Sequence, residues 1–234
     1  EGQENEVFME IRGLAKKGNL HPIDLSFRTG EVLGLAGLLG SGRSELAGLL
    51  FGIDQPDQGE IMIDGQVVRI TSPRQAIYQR FAYCPEDRKD SGIVDELSVK
   101  ENIMLALQAR KGWLKTIAPR IQEEIAEQYI RLLNISTPTS EQKVKNLSGG
   151  NQQKVIVARW LAANPRFLIL DEPTRGIDVG AKAEIQRLIL SLSQEGMSIL
   201  FISAEFSEVV RCSNRVVVLR DRNRVAELKN SQIS

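Results

Sequence analysis

The stretch from Val32 to Phe51 restricts the fold more than any other part of the chain. An apolar run, Val32 to Ala36, leads into Gly37-Leu38-Leu39-Gly40-Ser41-Gly42-Arg43-Ser44, and an amphipathic segment follows from Glu45 to Phe51. Strand, glycine loop and helix in that order place bare backbone N–H groups and the positive end of a helix dipole around one point, which suits a phosphate. The spacing GxxxxG-basic-Ser is met, with arginine where lysine is usual. Gly37, Leu38, Leu39, Gly40, Ser41, Gly42, Arg43, Ser44 and Glu45 are therefore the candidate nucleotide-binding residues. Ser44 supplies a hydroxyl suited to Mg²⁺. Arg43 keeps the positive charge, but its wide, planar guanidinium cannot take the place of a compact ammonium between β- and γ-phosphates.

A second feature lies far downstream. Phe167-Leu168-Ile169-Leu170-Asp171-Glu172 is four apolar residues followed by two carboxylates. Such a run reads as a buried parallel strand whose end reaches the ligand edge of a sheet. Asp171 is the candidate to hold Mg²⁺ through water, and Glu172 the candidate catalytic base for an attacking water. Between the two features, Leu147-Ser148-Gly149-Gly150-Asn151-Gln152-Gln153 precedes a long helical pattern, with two glycines behind a serine. Alone this is a flexible turn; between a phosphate loop and a carboxylate strand it becomes a helix tip with free amides for an anion.

The remaining chain fits an α/β domain. Val7 to Ile11 and Ile23 to Phe27 are strand-like, and Gly59 to Ile63 and Gln66 to Ile70 flank Asp64-Gly65, a hairpin signal that sets them in a small antiparallel layer. Ser72-Pro73 opens a short helix to about Gln79, and Phe81 to Cys84 is a core strand. Pro85 to Gly92 is a charged loop, either a solvated turn or a carrier of an oxygen ligand to the metal. Ser98-Val99-Lys100-Glu101 has capping-box spacing before one helix, a second helix runs from about Ile121 to Leu133, and Trp113 between them is expected to pack inside. A long helix from Val179 to about Gln194, strands at Ser198 to Ile202 and Arg215 to Leu219, and an edge strand at Val225 to Leu228 complete the pattern. Alternating strands and helices imply right-handed crossovers and a mainly parallel sheet.

Composition narrows the partners. Thirty basic residues balance thirty acidic ones, so no basic field offers itself to nucleic acid. Cys84 and Cys212 lie far apart in apolar surroundings and are expected to be buried thiols of a reducing compartment, not a disulfide. No apolar run reaches the ~18 residues needed to span a bilayer, and no signal peptide is visible. Residues Glu1 to Glu6 are polar and expected to fray, and a chain that starts without methionine and stops amid polar residues reads as a piece of something longer.

The order of the motifs resembles the ATP-binding cassette (ABC) family of transport ATPases along nearly the whole chain. Leu147 to Gln153, followed by Leu170-Asp171-Glu172-Pro173-Thr174, carries most of the resemblance. Gly34 to Arg43, Pro85-Glu86-Asp87-Arg88-Lys89 and Asp171 to Ala181 look like the second cassette of the ATP-binding subunit of bacterial ribose, galactose and galactofuranose importers. The resemblance implies a RecA-like P-loop NTPase core with an antiparallel β layer (1–92 and 147–234) and a helical subdomain insert (93–146). It implies ATP and Mg²⁺ as cofactors, a head-to-tail second cassette, an integral membrane permease docked on the insert, a periplasmic sugar-binding protein acting indirectly, and a peripheral place on the cytoplasmic face of the inner membrane. In that pairing the signature residues Leu147, Ser148, Gly149, Gly150, Asn151 and Gln152 face the partner's nucleotide, and Asp178 lies in a loop that contacts the partner cassette.

Departures from the family gather at the chain's own nucleotide pocket. Arg43 replaces a lysine, Glu86 stands where a metal- and water-touching glutamine is usual, and Ala204 stands where a histidine contacts the γ-phosphate. His21 is the chain's one histidine; it is the candidate to stack on adenine, with loop filler as the alternative. The expectation is a pocket that turns over slowly or not at all, beside an intact signature that completes the partner's site. The competing readings are an ATP-gated dimer clamp without hydrolysis of its own, a non-transport ABC ATPase, and a P-loop kinase or GTPase, which would leave Ser148-Gly149-Gly150 unexplained.

Overall fold

The computed structural model describes residues 6–112 and 114–229; Trp113 and the expected fraying of residues 1–5 lie outside them. Two sheets form the frame. The first is antiparallel, in the order β2-β1-β4-β5, from β1 (Val7–Lys16), β2 (Leu20–Arg28), β4 (Gln58–Ile63) and β5 (Gln66–Val68). The second has six strands in the order β10-β9-β3-β8-β7-β6, from β3 (Val32–Gly37), β6 (Phe81–Cys84), β7 (Phe167–Asp171), β8 (Ser198–Ser203), β9 (Arg215–Arg220) and β10 (Asn223–Lys229). Its pairings are parallel except for the terminal β9–β10 hairpin.

The antiparallel layer is larger than the hairpin signal alone indicates. Asp64-Gly65 does join β4 and β5, with Ile63 opposite Gln66. β1 and β2 join the same layer and run longer than their apolar cores, because register shifts after Ile11 and Leu14 let the strands continue past Gly13. Strand β5 stops at Val68, short of the expected Ile70, whose side chain is nonetheless buried. Phe167, at the start of β7, ties the layers together: its ring lies 5.6 Å from Phe8, 5.2 Å from Phe27 and 5.1 Å from Phe81.

Helices cover the parallel sheet. α1 (Arg43–Phe51) and α2 (Pro73–Tyr78) lie on the side of the antiparallel layer, where Leu46, Leu49 and Leu50 are sealed in the same core as Phe27 and Phe167. On the other side α3 (Val99–Lys111), α4 (Pro119–Leu132), α5 (Gly149–Ala162), α6 (Val179–Gln194) and α7 (Phe206–Cys212) contribute Ile103, Ala126, Val155, Ile185 and Val209 to a second core. Cys84 and Cys212 are free and buried, as expected, and burial pushes their thiols up to about 12 and about 11. Among the described residues no helix is long and apolar enough to cross a membrane.

The capping box at α3 is present in full. Ser98 Oγ accepts from the Glu101 N–H at 3.1 Å, and the Glu101 carboxylate accepts from the Ser98 N–H at 2.7 Å. This reciprocal pair sets the point at which the chain turns from the core into the helical region. Ser98→Ala should lower the unfolding free energy by about 0.5–2 kcal/mol, whereas Ser98→Thr should retain most of it, as measured by urea denaturation.

Candidate active site

Parallel pairing delivers the C-terminal ends of β3, β8 and β7 to one edge of the sheet, and the phosphate loop and both carboxylates meet there. The loop turns at Gly40 (φ 77°) and Gly42 (φ 97°), a left-handed backbone that glycine adopts without a Cβ penalty. Gly42 caps α1, which starts at Arg43 and carries Glu45 in its first turn. Leu38 and Leu39 are exposed, whereas Ser41 and Arg43 are buried. The Ser41 hydroxyl is sealed from solvent with no hydrogen-bond partner.

Asp171 ends β7, 1% exposed. One carboxylate oxygen, Oδ2, accepts from the Tyr83 hydroxyl at 3.3 Å; the other, Oδ1, is buried with no hydrogen-bond partner. Burial raises the Asp171 pKa to about 6 against the lowering effect of the Ser44 hydroxyl, with the Glu172 charge raising it further and Arg43 lowering it. An orphaned carboxylate oxygen beside a serine hydroxyl fits a small oxygen-seeking cation, since Mg²⁺ uses one or two protein oxygens and leaves its other positions to water and phosphates.

Glu172 adopts φ 48°, a strained left-handed conformation for a non-glycine residue, while its N–H continues the sheet to Ile202 O at 2.9 Å. Its carboxylate Oε1 accepts from Arg43 Nη1 at 2.9 Å, in an ion pair whose side chains are 6% and 10% exposed. The arginine of the phosphate loop therefore grips the catalytic candidate. Sequence spacing gave no signal for this contact.

Glu86 is paired with Arg175, on the loop that leaves β7. The charged loop Pro85 to Gly92 is neither a plain turn nor extended: it closes a single π turn, Arg88–Gly92, with the Asp87 carboxylate accepting from the N–H groups of Lys89 and Asp90 at 3.0 Å each. Ala204 is exposed and lines a cleft of about 560 Å³ with Phe206 and the loop residues Gly37 to Ser41. His21 is exposed and borders a second cavity of about 410 Å³ with Lys16, Lys17 and Arg222; the Arg222 N–H donates to Ser41 O at 3.2 Å, which sets this cavity against the phosphate loop.

The tip of α5 is less bare than the sequence suggests. Ser148 Oγ accepts from the Asn151 N–H at 3.4 Å and from Asn151 Nδ2 at 2.9 Å, so one amide of the first turn is capped inside the domain. The reason is local: serine at an N-cap folds back onto the third amide of its own helix. Leu147 is half-buried, Ser148 exposed and Gly149 half-buried. Gly150 is buried against Ala181, where an added Cβ would lie 2.6 Å from the alanine methyl. Asp178 is exposed and caps α6 through Ala181, 2.9 Å. The Gln152 side chain is held internally, donating to Val144 O and accepting from Arg88 Nε, both at 3.3 Å. Arg88 lies over Gly149, its Nη2 3.0 Å from the place of an added Cβ, another contact that sequence reasoning missed.

Asp171→Asn should stabilise the nucleotide- and metal-free protein at pH 7.5 by on the order of 1–3 kcal/mol, because it removes a buried charge. The sign follows from a folded pKa raised to about 6 from 3.8: the wild type gives up stability as pH rises between those values, so the gap to the variant opens from about pH 4 to pH 6 and is constant above. Thermal unfolding across pH 4–8 measures it. A gap that closes as pH rises would contradict the assignment.

A sequence model of the family described as "ABC transporter" matches residues 20–175. The galactofuranose transporter ATP-binding protein YtfR of Escherichia coli (strain K12) is 53% identical over 96% of the chain, and the fructose import ATP-binding protein FruK of Bifidobacterium longum is 50% identical over 95%. The chain spans 45% and 43% of those relatives. Among solved structures, the ADP conformation of MJ1267, an ATP-binding cassette of an ABC transporter, superposes with TM-score 0.84 at 21% identity, covering 98% of this chain and 94% of that one. A dimeric post-hydrolysis cassette, MJ0796 bound to ADP and Pi, gives 0.81 at 22%, covering 95% and 98%. At that identity the likeness speaks for the fold.

Proposed function

The chain belongs to the ABC transporter family, and from that premise we propose that it is the second nucleotide-binding cassette of a sugar-import ATP-binding subunit. The observation that carries the reading is the meeting of the phosphate loop with a buried, half-orphaned Asp171 at one sheet edge. The names of the relatives, a galactofuranose transporter and a fructose import ATP-binding protein, support the class of cargo.

In this reading Gly37 to Glu45 hold the phosphates of ATP, and Ser44 and Asp171 hold Mg²⁺, with Glu86 reaching it once released from Arg175. The metal neutralises charge on the phosphate oxygens when bound. Glu172 orients and deprotonates the attacking water. The domain's own pocket is slow. Arg43 presents a wide guanidinium where a compact ammonium is usual, Glu86 is engaged with Arg175, and Ala204 has no hydrogen-bonding side chain to offer a phosphate. The tip of α5, with Ser148 exposed, completes the nucleotide site of a partner cassette, where most hydrolysis takes place. A permease docked on the helical region of 93–146, and a peripheral place on the inner membrane's cytoplasmic face, complete the proposal.

The test separates the two half-sites in the full two-cassette subunit. Ser148→Arg should reduce ATP-driven transport at least tenfold, while Glu172→Gln should reduce it no more than about threefold. If Glu172→Gln stops transport and Ser148→Arg leaves it intact, the division of labour is reversed.

A further inference from the structure

The Arg43–Glu172 pair has no place in a plain account of phosphate binding. Arg43 occupies the loop position whose cation should meet phosphate, and its backbone is fixed as the first residue of α1. Its guanidinium instead bonds the carboxylate at the exit of β7, and solvent reaches little of either side chain. While its Oε1 is bonded to Arg43 Nη1 at 2.9 Å, that oxygen of Glu172 is not free to hold a water. Two anions on one shielded cation would leave net negative charge in a site already containing Asp171, an arrangement that low polarisability disfavours.

We propose that Glu172 is an intramolecular competitor for the phosphate-binding cation: polyphosphate displaces the carboxylate from Arg43, and the same displacement frees Glu172 to face water. Arg43 is thus a positioning residue for Glu172, and nucleotide binding and arming of the base are one exchange. This rests on the nucleotide-binding reading above. It adds that the chain's affinity for ATP is set partly by its own glutamate.

A double-mutant cycle on this chain tests it, with fluorescent ATP (the N-methylanthraniloyl derivative) titrated in EDTA so that no turnover occurs. Glu172→Gln should tighten binding at least tenfold when Arg43 is present, and no more than threefold in the Arg43→Gln background. The residual gain there is relief of simple repulsion between Glu172 and phosphate. Equal gains in the two backgrounds would mean that the pair does not compete with phosphate. A larger gain in the Arg43→Gln background would mean that Arg43 holds both anions together. Either result overturns the proposal while leaving nucleotide binding intact. Absence of binding to both the wild type and Glu172→Gln overturns the nucleotide-binding reading itself, and this inference with it.

Should Arg43→Gln fail to fold, nitrogen-15 spectra of the wild-type guanidinium decide. The Arg43 Nη signals should be resolved by slow rotation in the free protein, averaged in Glu172→Gln, and shifted by ATP. Signals indifferent to Glu172→Gln refute the exchange.

Discussion

Parallel pairing of β3, β8 and β7 is the constraint on which the rest of the structure depends. Strands that run the same way release their chains at the same edge, so a loop at residue 37 and a carboxylate at residue 171 meet without any contact between them having to be built locally. The price of that convergence is electrostatic. Phosphate-loop amides and a helix N-terminus gather positive potential at the edge, and Asp171 and Glu172 answer it from a strand that is buried throughout. At the other end of that strand Phe167 packs against three phenylalanines from both sheets and anchors β7 in the core.

The two acids are stabilised differently. Glu172 has a full counter-ion, and removing one partner of such a buried pair typically costs about 3–5 kcal/mol through the charge left behind. Asp171 has a tyrosine hydroxyl and an unsatisfied oxygen, and its raised pKa states the cost of that position. An acid left incompletely satisfied in a well-packed core is the mark of a site arranged for something absent from the chain itself. The adjacent residue, fully paired, is poised to be released.

Much of this was legible in the sequence because it rests on local rules. Glycines at 40 and 42, the Asp64-Gly65 hairpin, the Ser98 capping box and the apolar run into Asp171 each follow from backbone geometry within a few residues. The partners of the site's charges do not. Arg43 and Glu172 are 129 residues apart, Arg175 and Glu86 are 89 apart, and nothing in their spacing announces either pair. Glu208 is a sharper case. It is buried in α7 and accepts from Thr174 at 2.5 Å and Ser203 at 3.3 Å, with Lys182 at 3.1 Å, yet in the sequence it is one acid in an ordinary amphipathic segment. The α5 tip differs for the opposite reason: the glycines signal bare backbone, while the serine at the N-cap folds back onto the Asn151 N–H.

The segment from Asp171 to Asp178 connects the two faces of the domain. At its start the acids meet the phosphate loop; at its end Asp178 caps α6, whose Ala181 packs on Gly150 at the tip of α5. Thr174 in its middle is pinned to Glu208, and Lys182 on α6 is bound to Glu208 as well. The segment is thus fastened at both ends and in the middle. The Gly150–Ala181 contact has no room to compress, since an added Cβ there already overlaps. The chain's own pocket and the tip of α5 are thus joined by one short covalent segment, held at Thr174 by Glu208 and at Asp178 by its cap on α6.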